Sequence, residues 1–230
     1  MAALDYLWNV TTCLKEPLRT ARAHWLQRNS IRVLRVVNTS WRTLGPIPKQ
    51  GLLVSNHLSY LDILVLAANT PCAFVAKHEV KHWPVFGWFA QMGGTIFVRR
   101  EKRTDVSRTS REIEQALLDG SLLVLFPEGT SSGGETVLPF KSALLEPAAK
   151  TDQNLFAGCV SYKLADGSVR DEVCYWRDMT LVPPLLNLLG KRKLEAHLAF
   201  NRIEEPGSDR KTLARQLHAE VLKLKNSPSP

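Results

Sequence analysis

A histidine with a carboxylate five residues downstream occurs in the stretch Asn56-His57-Leu58-Ser59-Tyr60-Leu61-Asp62. It directly follows residues 52–55, a short apolar run that reads as a buried strand. The C-terminal ends of such strands are where α/β sheets open their ligand crevices. A histidine at that point lies on a turn instead of in the core. Asp62, early in the helix that follows, can reach back to the imidazole. A carboxylate so placed fixes the tautomer and stabilises the imidazolium, while the other ring nitrogen takes a proton from a hydroxyl. No G-x-S-x-G elbow supplies an enzyme nucleophile, so the hydroxyl is most simply the substrate's own. On their own, a His and an Asp at this spacing are more plainly read as a capped, hydrogen-bonded turn.

Two more polar clusters follow in the same position relative to a strand. In Gly93-Gly94-Thr95-Ile96-Phe97-Val98-Arg99-Arg100 a short apolar run ends in two arginines, whose guanidinium forks suit phosphate. Two solvated arginines at a strand end are the plainer alternative. In Phe126-Pro127-Glu128-Gly129-Thr130-Ser131 the apolar run 122–126 ends in a turn. Gly129, with Gly133 and Gly134 close by, permits close backbone approach to a ligand. Thr130 and Ser131 offer hydroxyls, and Glu128 can accept from a polyol or hold an arginine. A glycine-rich turn is the plainer alternative here. All three clusters begin where a strand ends, which favours one shared crevice.

The elements that must position them alternate. Residues 5–37 read as a helix with Arg19, Arg22, Arg28, Arg32 and Arg35 interleaved with Leu18, Trp25, Leu26, Ile31, Leu34 and Val37. Such a helix either packs on the domain or lies on anionic lipid with Trp8 and Trp25 near the headgroups. Gly45-Pro46-Ile47-Pro48 marks a boundary. Strands are expected at 52–55, 73–76, 95–98, 122–126, 155–163 and 194–201. Helices are expected at 60–68, from a Thr104 cap to Gly120, and from a Ser208 cap to about Lys225. The expected fold is α/β: a mixed, largely parallel sheet flanked by helices, with an N-terminal amphipathic helical segment. Residues 1–44 form that segment, 45–225 the catalytic domain and 226–230 a frayed tail.

Composition narrows the partners. The chain has 230 residues, 44% hydrophobic and 23% charged, with a formal net charge of +8, so anionic partners are favoured. The four cysteines (Cys13, Cys72, Cys159 and Cys174) form no C-x-x-C pair and read as reduced thiols. No metal is expected. The start of the chain carries no basic stretch, and Asp5 interrupts its apolar residues, unlike a secretory leader. The apolar stretches 82–98 and 179–190 are broken by Pro and Gly, too much so to span a bilayer. They read as core or as interface. His24, His78, His82, His197 and His218 have no matching partners and read as surface or packing residues. No RNP-type aromatics or helix-turn-helix point to nucleic acid.

Taken together, the three clusters resemble the glycerolipid acyltransferases that include 1-acylglycerol-3-phosphate acyltransferase. That family's N-H-x-x-x-x-D is matched by Asn56, His57 and Asp62. Its G-x-x-F-I-x-R is matched by Gly94, Phe97, Val98 and Arg100, and its F-P-E-G-T by Phe126, Pro127, Glu128, Gly129 and Thr130. The downstream Pro139-Phe140-Lys141 is also similar, and the stretch around 176–189 resembles the lyso-ornithine lipid branch. Arg99 departs from the family, standing where many members carry Asp. Residues 155–162 lack the Pro of a fourth motif. The resemblance implies acyl transfer from acyl-coenzyme A or acyl carrier protein to a lysophospholipid hydroxyl in phospholipid biosynthesis, without a cofactor. It casts His57 as base and Asp62 as its orienting group. Arg100, with Arg99 and Lys141, would grip the phosphate, while Glu128, Gly129 and Thr130 shape the glycerol side. The expected setting is an anionic membrane surface, peripherally, on the cytoplasmic face. A thioester or lipid hydrolase using the same pair with water, and a non-enzymatic binder of anionic lipid, are the rival readings.

Overall fold

The computed structural model describes residue 6 and residues 18–99, 103–150, 153–174 and 193–227. Trp8, Cys13, Arg100 and the 175–192 stretch lie outside the described residues. Within them, helix α1 (Leu18–Val36) leads to strand β1 (Thr39–Leu44), followed by β2 (Gly51–Ser55), α2 (Leu61–Asn69) and β3 (Ala73–Lys77). A 3₁₀ turn (His78–His82), α3 (Phe86–Met92), β4 (Ile96–Val98), α4 (Arg103–Leu118) and β5 (Leu122–Leu125) come next. The chain continues through a second 3₁₀ turn (Ser142–Leu144), α5 (Glu146–Lys150), β6 (Leu155–Leu164), α6 (Val169–Glu172), β7 (Leu194–Arg202) and α7 (Arg210–Asn226).

The seven strands form one sheet in the order β1-β7-β6-β2-β5-β3-β4. Every pairing is parallel except β6 with β7. The fold is the mixed, largely parallel sheet that the sequence calls for. The solid apolar runs follow from covering both faces. Alternate residues of β2 and β5 point to opposite sides. Leu52, Val54, Leu123 and Leu125 join Ile113 and Leu117 of α4 and Leu213 and Leu217 of α7. Leu53, Leu122 and Val124 join Trp25 and Leu34 of α1 and Val65 and Leu66 of α2.

The register between β2 and β6 sets up the site. Ser55, the last residue of β2, lies opposite Gly158. The rest of β6, including Val160 and Tyr162, therefore overhangs the C-terminal end of β2. Residues leaving β2 turn directly beneath this overhang.

Three expectations change. Residues 39–44, grouped by sequence with the helical segment, are a strand at the sheet edge, with Thr39 opposite Leu194. The pairing partner is remote in sequence, so no local pattern announces it. Helix α7 is capped by Asp209 instead of Ser208, its carboxylate accepting from the N–H groups of Lys211 and Thr212. Thr104 lies inside α4, whose described residues run from Arg103.

Of the two readings of the basic helix, α1 takes the packed one over its described length. Trp25 is fully buried, with ring centroids 5.6 Å from Tyr6 and 5.3 Å from Phe89. The apolar face is used inside the protein, and Arg32 and Arg35 remain exposed. Trp25→Ala is expected to lower unfolding stability by about 3–5 kcal/mol, measured by urea denaturation. A residue merely resting at a surface would leave it unchanged.

Candidate active site

The turn after β2 is anchored first by Asn56. Its side-chain amide donates to the Val160 carbonyl (3.0 Å) and its carbonyl oxygen accepts from the Val160 N–H (2.8 Å). This pair adds a side-chain rung to the β2–β6 ladder just past the end of β2, and it fixes where His57 emerges.

His57 is then held at its backbone and its ring. Its N–H donates to Glu128 Oε1 (2.9 Å) and its carbonyl accepts from the Ser132 N–H (2.9 Å). The imidazole stacks on Phe126, with centroids 4.2 Å apart and planes 15° from parallel. Phe126 in turn stacks on Phe74. The loop after β5 thus grips the residue after β2, as expected for neighbouring parallel strands whose C-terminal ends share an edge.

Asp62 completes the arrangement. It is wholly buried in the first turn of α2, where the helix end favours negative charge. Its Oδ2 lies 2.8 Å from His57 Nδ1 and accepts from the N–H groups of Leu58 (2.6 Å) and Ser59 (2.9 Å). Its Oδ1 accepts from the Tyr162 hydroxyl at 2.6 Å. An acceptor at Nδ1 assigns the proton to that nitrogen, leaving Nε2 with its lone pair. The ring is about one-fifth exposed (21%) while the carboxylate is sealed. The pair can therefore accept a proton from an incoming hydroxyl.

Glu128 behaves differently from the sequence reading. Oε1 takes the His57 N–H and Oε2 the Leu138 N–H (3.2 Å), and the residue is buried. Both oxygens are bonded to backbone amides, so the carboxylate braces the loops instead of facing a polyol or an arginine. The physical reason is that buried N–H groups in these turns need acceptors. Burial pushes its carboxyl up to about 7, against the pull of the two N–H bonds and His57. Gly129 takes φ +77° in the turn, the region that favours glycine. Thr130 is exposed at the turn. The Pro127 carbonyl accepts from the Lys141 N–H, and the Lys141 side chain is exposed.

The arginine motif is set apart. Gly94 (φ +77°) leads into β4, Phe97 is half-buried and Arg99 is exposed. Arg99 Nη2 lies 2.9 Å from His78 Nε2. Strand β4 is three places from β2 in the sheet, a lateral separation of roughly 14 Å. Arg99 therefore does not touch the His57 cluster, and Arg100 lies outside the described residues. Tyr162 is the residue that sequence reasoning missed. It sits 100 residues from Asp62, and only the register of β6 against β2 brings the two together. Among the described residues no cluster of three His, Cys, Asp or Glu could hold a metal ion. Cys72, Cys159 and Cys174 are free and buried.

A family model described as Acyltransferase matches residues 35–163, a span that holds all of the cluster from Asn56 to Tyr162. The chain belongs to the acyltransferase family. It is 35% identical over 211 residues to a lyso-ornithine lipid O-acyltransferase of Brucella abortus (strain 2308), covering 85% of this chain and 79% of that protein. It is 33% identical over 153 residues to a 1-acyl-sn-glycerol-3-phosphate acyltransferase of Neisseria meningitidis serogroup B, covering 66% of this chain and 60% of that protein. The fold is similar to the crystal structure of the 1-acyl-sn-glycerophosphate (LPA) acyltransferase PlsC from Thermotoga maritima. The TM-score is 0.67 at 19% identity, over 99% of this chain and 90% of that one.

Glu128 yields a test in this acyltransferase. Its folded carboxyl titrates at about 7, raised from 4.5, so the folded state binds more protons than the unfolded chain between those values. That contribution favours folding at the acid side and is lost as pH rises from 4.5 to about 7. Glu128→Gln removes this slope and also turns an amide NH₂ toward one backbone N–H. A cost of about 1–3 kcal/mol is expected from the orphaned donor. Thermal unfolding from pH 5 to 8 should show a flatter profile for the variant with a lower Tm at the acid end.

Proposed function

We propose that this acyltransferase moves an acyl group from a thioester, acyl-coenzyme A or acyl carrier protein, to the hydroxyl of a lysolipid. The single observation that carries the reading is the His57–Asp62 contact, with Nδ1 turned to a sealed carboxylate and the ring face on Phe126. His57 Nε2 takes the proton of the acceptor hydroxyl as its oxygen attacks the thioester carbonyl. The tetrahedral oxyanion needs N–H donors; those of His57, Leu58 and Ser59 are already given to Glu128 and Asp62, so the donors come from elsewhere around the crevice. Collapse breaks the carbon–sulfur bond, and the leaving thiolate takes the proton from His57. The products are an ester and a free thiol, and no acyl-enzyme is required.

The acceptor class follows from what the relatives are named for: a lyso-ornithine lipid in one group and 1-acyl-sn-glycerol-3-phosphate in the other. Both names describe one-chain lipids with a free hydroxyl. Arg100, aided by Arg99 and Lys141, binds an anionic head. Gly129 and Thr130 line the acceptor side.

Both substrates are amphiphiles, so the enzyme works at an anionic membrane surface, peripherally on the cytoplasmic face. Among the described residues no helix is long and apolar enough to cross a membrane. What supports surface contact is the knuckle before α3. Val85 is 66% and Trp88 53% exposed, and Val85 holds φ +62°, an uncommon conformation for a β-branched residue. Lys77, Lys81 and His82 are exposed beside it. Phe86 packs on Tyr60 at 5.3 Å, so the knuckle adjoins the His57 turn.

His57→Ala should lower kcat by about 10²–10⁴-fold in protein whose far-UV circular dichroism shows it folded, measured by mass spectrometry of acylated product from a panel of lysolipids. Near-full turnover would rule out the base. For the membrane contact, Val85→Glu with Trp88→Glu should abolish co-flotation with anionic vesicles while far-UV circular dichroism stays unchanged. Undiminished flotation would exclude the knuckle.

A further inference from the structure

Asp62 has two oxygens with different company. Among the described residues Oδ2 serves its own turn and His57: it accepts from the N–H groups of Leu58 and Ser59 and faces Nδ1. Oδ1 accepts from Tyr162, a residue of β6 at 2.6 Å, the shortest class of hydroxyl–carboxylate bond. The tyrosine ring packs beside Tyr60, Leu61, Val173 and Leu194, so the hydroxyl is presented by a fixed ring. Burial first, and then the Asp62 charge, push the Tyr162 hydroxyl well above its ordinary range, so it remains a donor wherever the enzyme works.

We propose that Tyr162 is a positioning residue for the acyl-transfer reaction: its hydroxyl commits Asp62 to one orientation and draws off part of the carboxylate's charge, and so sets the pH at which His57 accepts its proton. The inference rests on the reading of His57 as the general base. Two effects follow from one bond. With Oδ1 tied to β6, the carboxylate cannot rotate, and Oδ2 stays on the His57 side. Each further donor on a carboxylate stabilises its charge and weakens its pull on a neighbouring imidazolium. Tyr162 therefore holds Asp62 as the partner that orients the His57 ring while moderating its pull on it.

Among the described residues the other titratable groups around the pair are few. Glu128 faces His57 through its backbone bond and carries a carboxyl pushed up to about 7. Cys159 and Cys174 sense Asp62, and burial pushes both thiols up to about 12, so they stay neutral. The charge of Lys225 acts on Cys159, and that of Asp171 on Cys174. All of these are retained when Tyr162 is changed. A difference between the wild type and a Tyr162 variant thus reports on the phenol alone.

The test is Tyr162→Phe, which keeps the ring and removes the donor. The His57 imidazole is titrated by NMR in ¹³C-histidine-labelled protein, with His57→Ala assigning the signal. The kcat/KM profile is followed with palmitoyl-coenzyme A and either 1-acylglycerol-3-phosphate or lyso-ornithine lipid, whichever the wild type turns over. In Tyr162→Phe the His57 midpoint and the acid limb of kcat/KM should rise by about half a unit or more. kcat at pH 7 should fall about tenfold with the acceptor KM unchanged. Replacing Tyr162 by 3-fluorotyrosine, a stronger donor of nearly the same shape, should move both midpoints the opposite way, which covers the case in which the Phe variant folds poorly. Unchanged midpoints in both variants would overturn the inference. If His57→Ala keeps its turnover, the base reading itself falls. If His57→Ala is inactive but both Tyr162 variants match the wild type, only the role of Tyr162 falls.

Discussion

A carboxylate sealed from water needs donors on every side, because a buried charge without them is strongly unfavourable. Asp62 is such a group, with no exposed surface at all. Its requirement shapes the segment between β2 and α2. Two backbone N–H groups of that turn point at one oxygen, which fixes the path of Leu58 and Ser59. The imidazole of His57 is drawn to the same oxygen. The second oxygen depends on a strand from elsewhere in the chain. The orientation of the reactive imidazole is thus a consequence of satisfying one charge.

That requirement reaches into the sheet. A β6 of the same length as β2 would leave neither Val160 for Asn56 nor Tyr162 for Asp62. The overhang that supplies both is a matter of register, with Ser55 opposite Gly158. The neighbouring loop after β5 supports the turn from the other side. Its Glu128 and Ser132 hold the two backbone groups of His57, and its Phe126 forms the floor under the ring. Two motifs far apart in sequence therefore act as one rigid unit, and the raised carboxyl of Glu128 reflects the burial that this bracing demands.

The remaining surface is divided by the same logic. Helix α1 covers one face of the sheet with Trp25 and Leu34, which leaves Arg32 and Arg35 as its exposed arginines. The exposed apolar residues Val85 and Trp88 lie elsewhere, after the C-terminal end of β3. Parallel strands bring their C-terminal ends to one edge, so the reactive pair and this apolar knuckle share a side of the molecule. Arg99 shares that edge as well, three strands away from β2.

What the sequence by itself determined was local. Apolar runs such as 52–55 and 122–126 announce strands covered on both faces, and a histidine five residues before an aspartate across a strand–helix turn announces a contact that short range alone can close. The tertiary structure decided everything that depends on which remote segment arrives. It made a strand of 39–44 because Leu194–Arg202 offers it an edge. It turned Trp25 inward because Tyr6 and Phe89 lie beside it. It gave Glu128 to backbone amides, and it brought Tyr162 to Asp62. Periodicity reports that a side chain is buried, but burial has no address. The partner is chosen by strand order and register, which arise from loop closures across the whole chain.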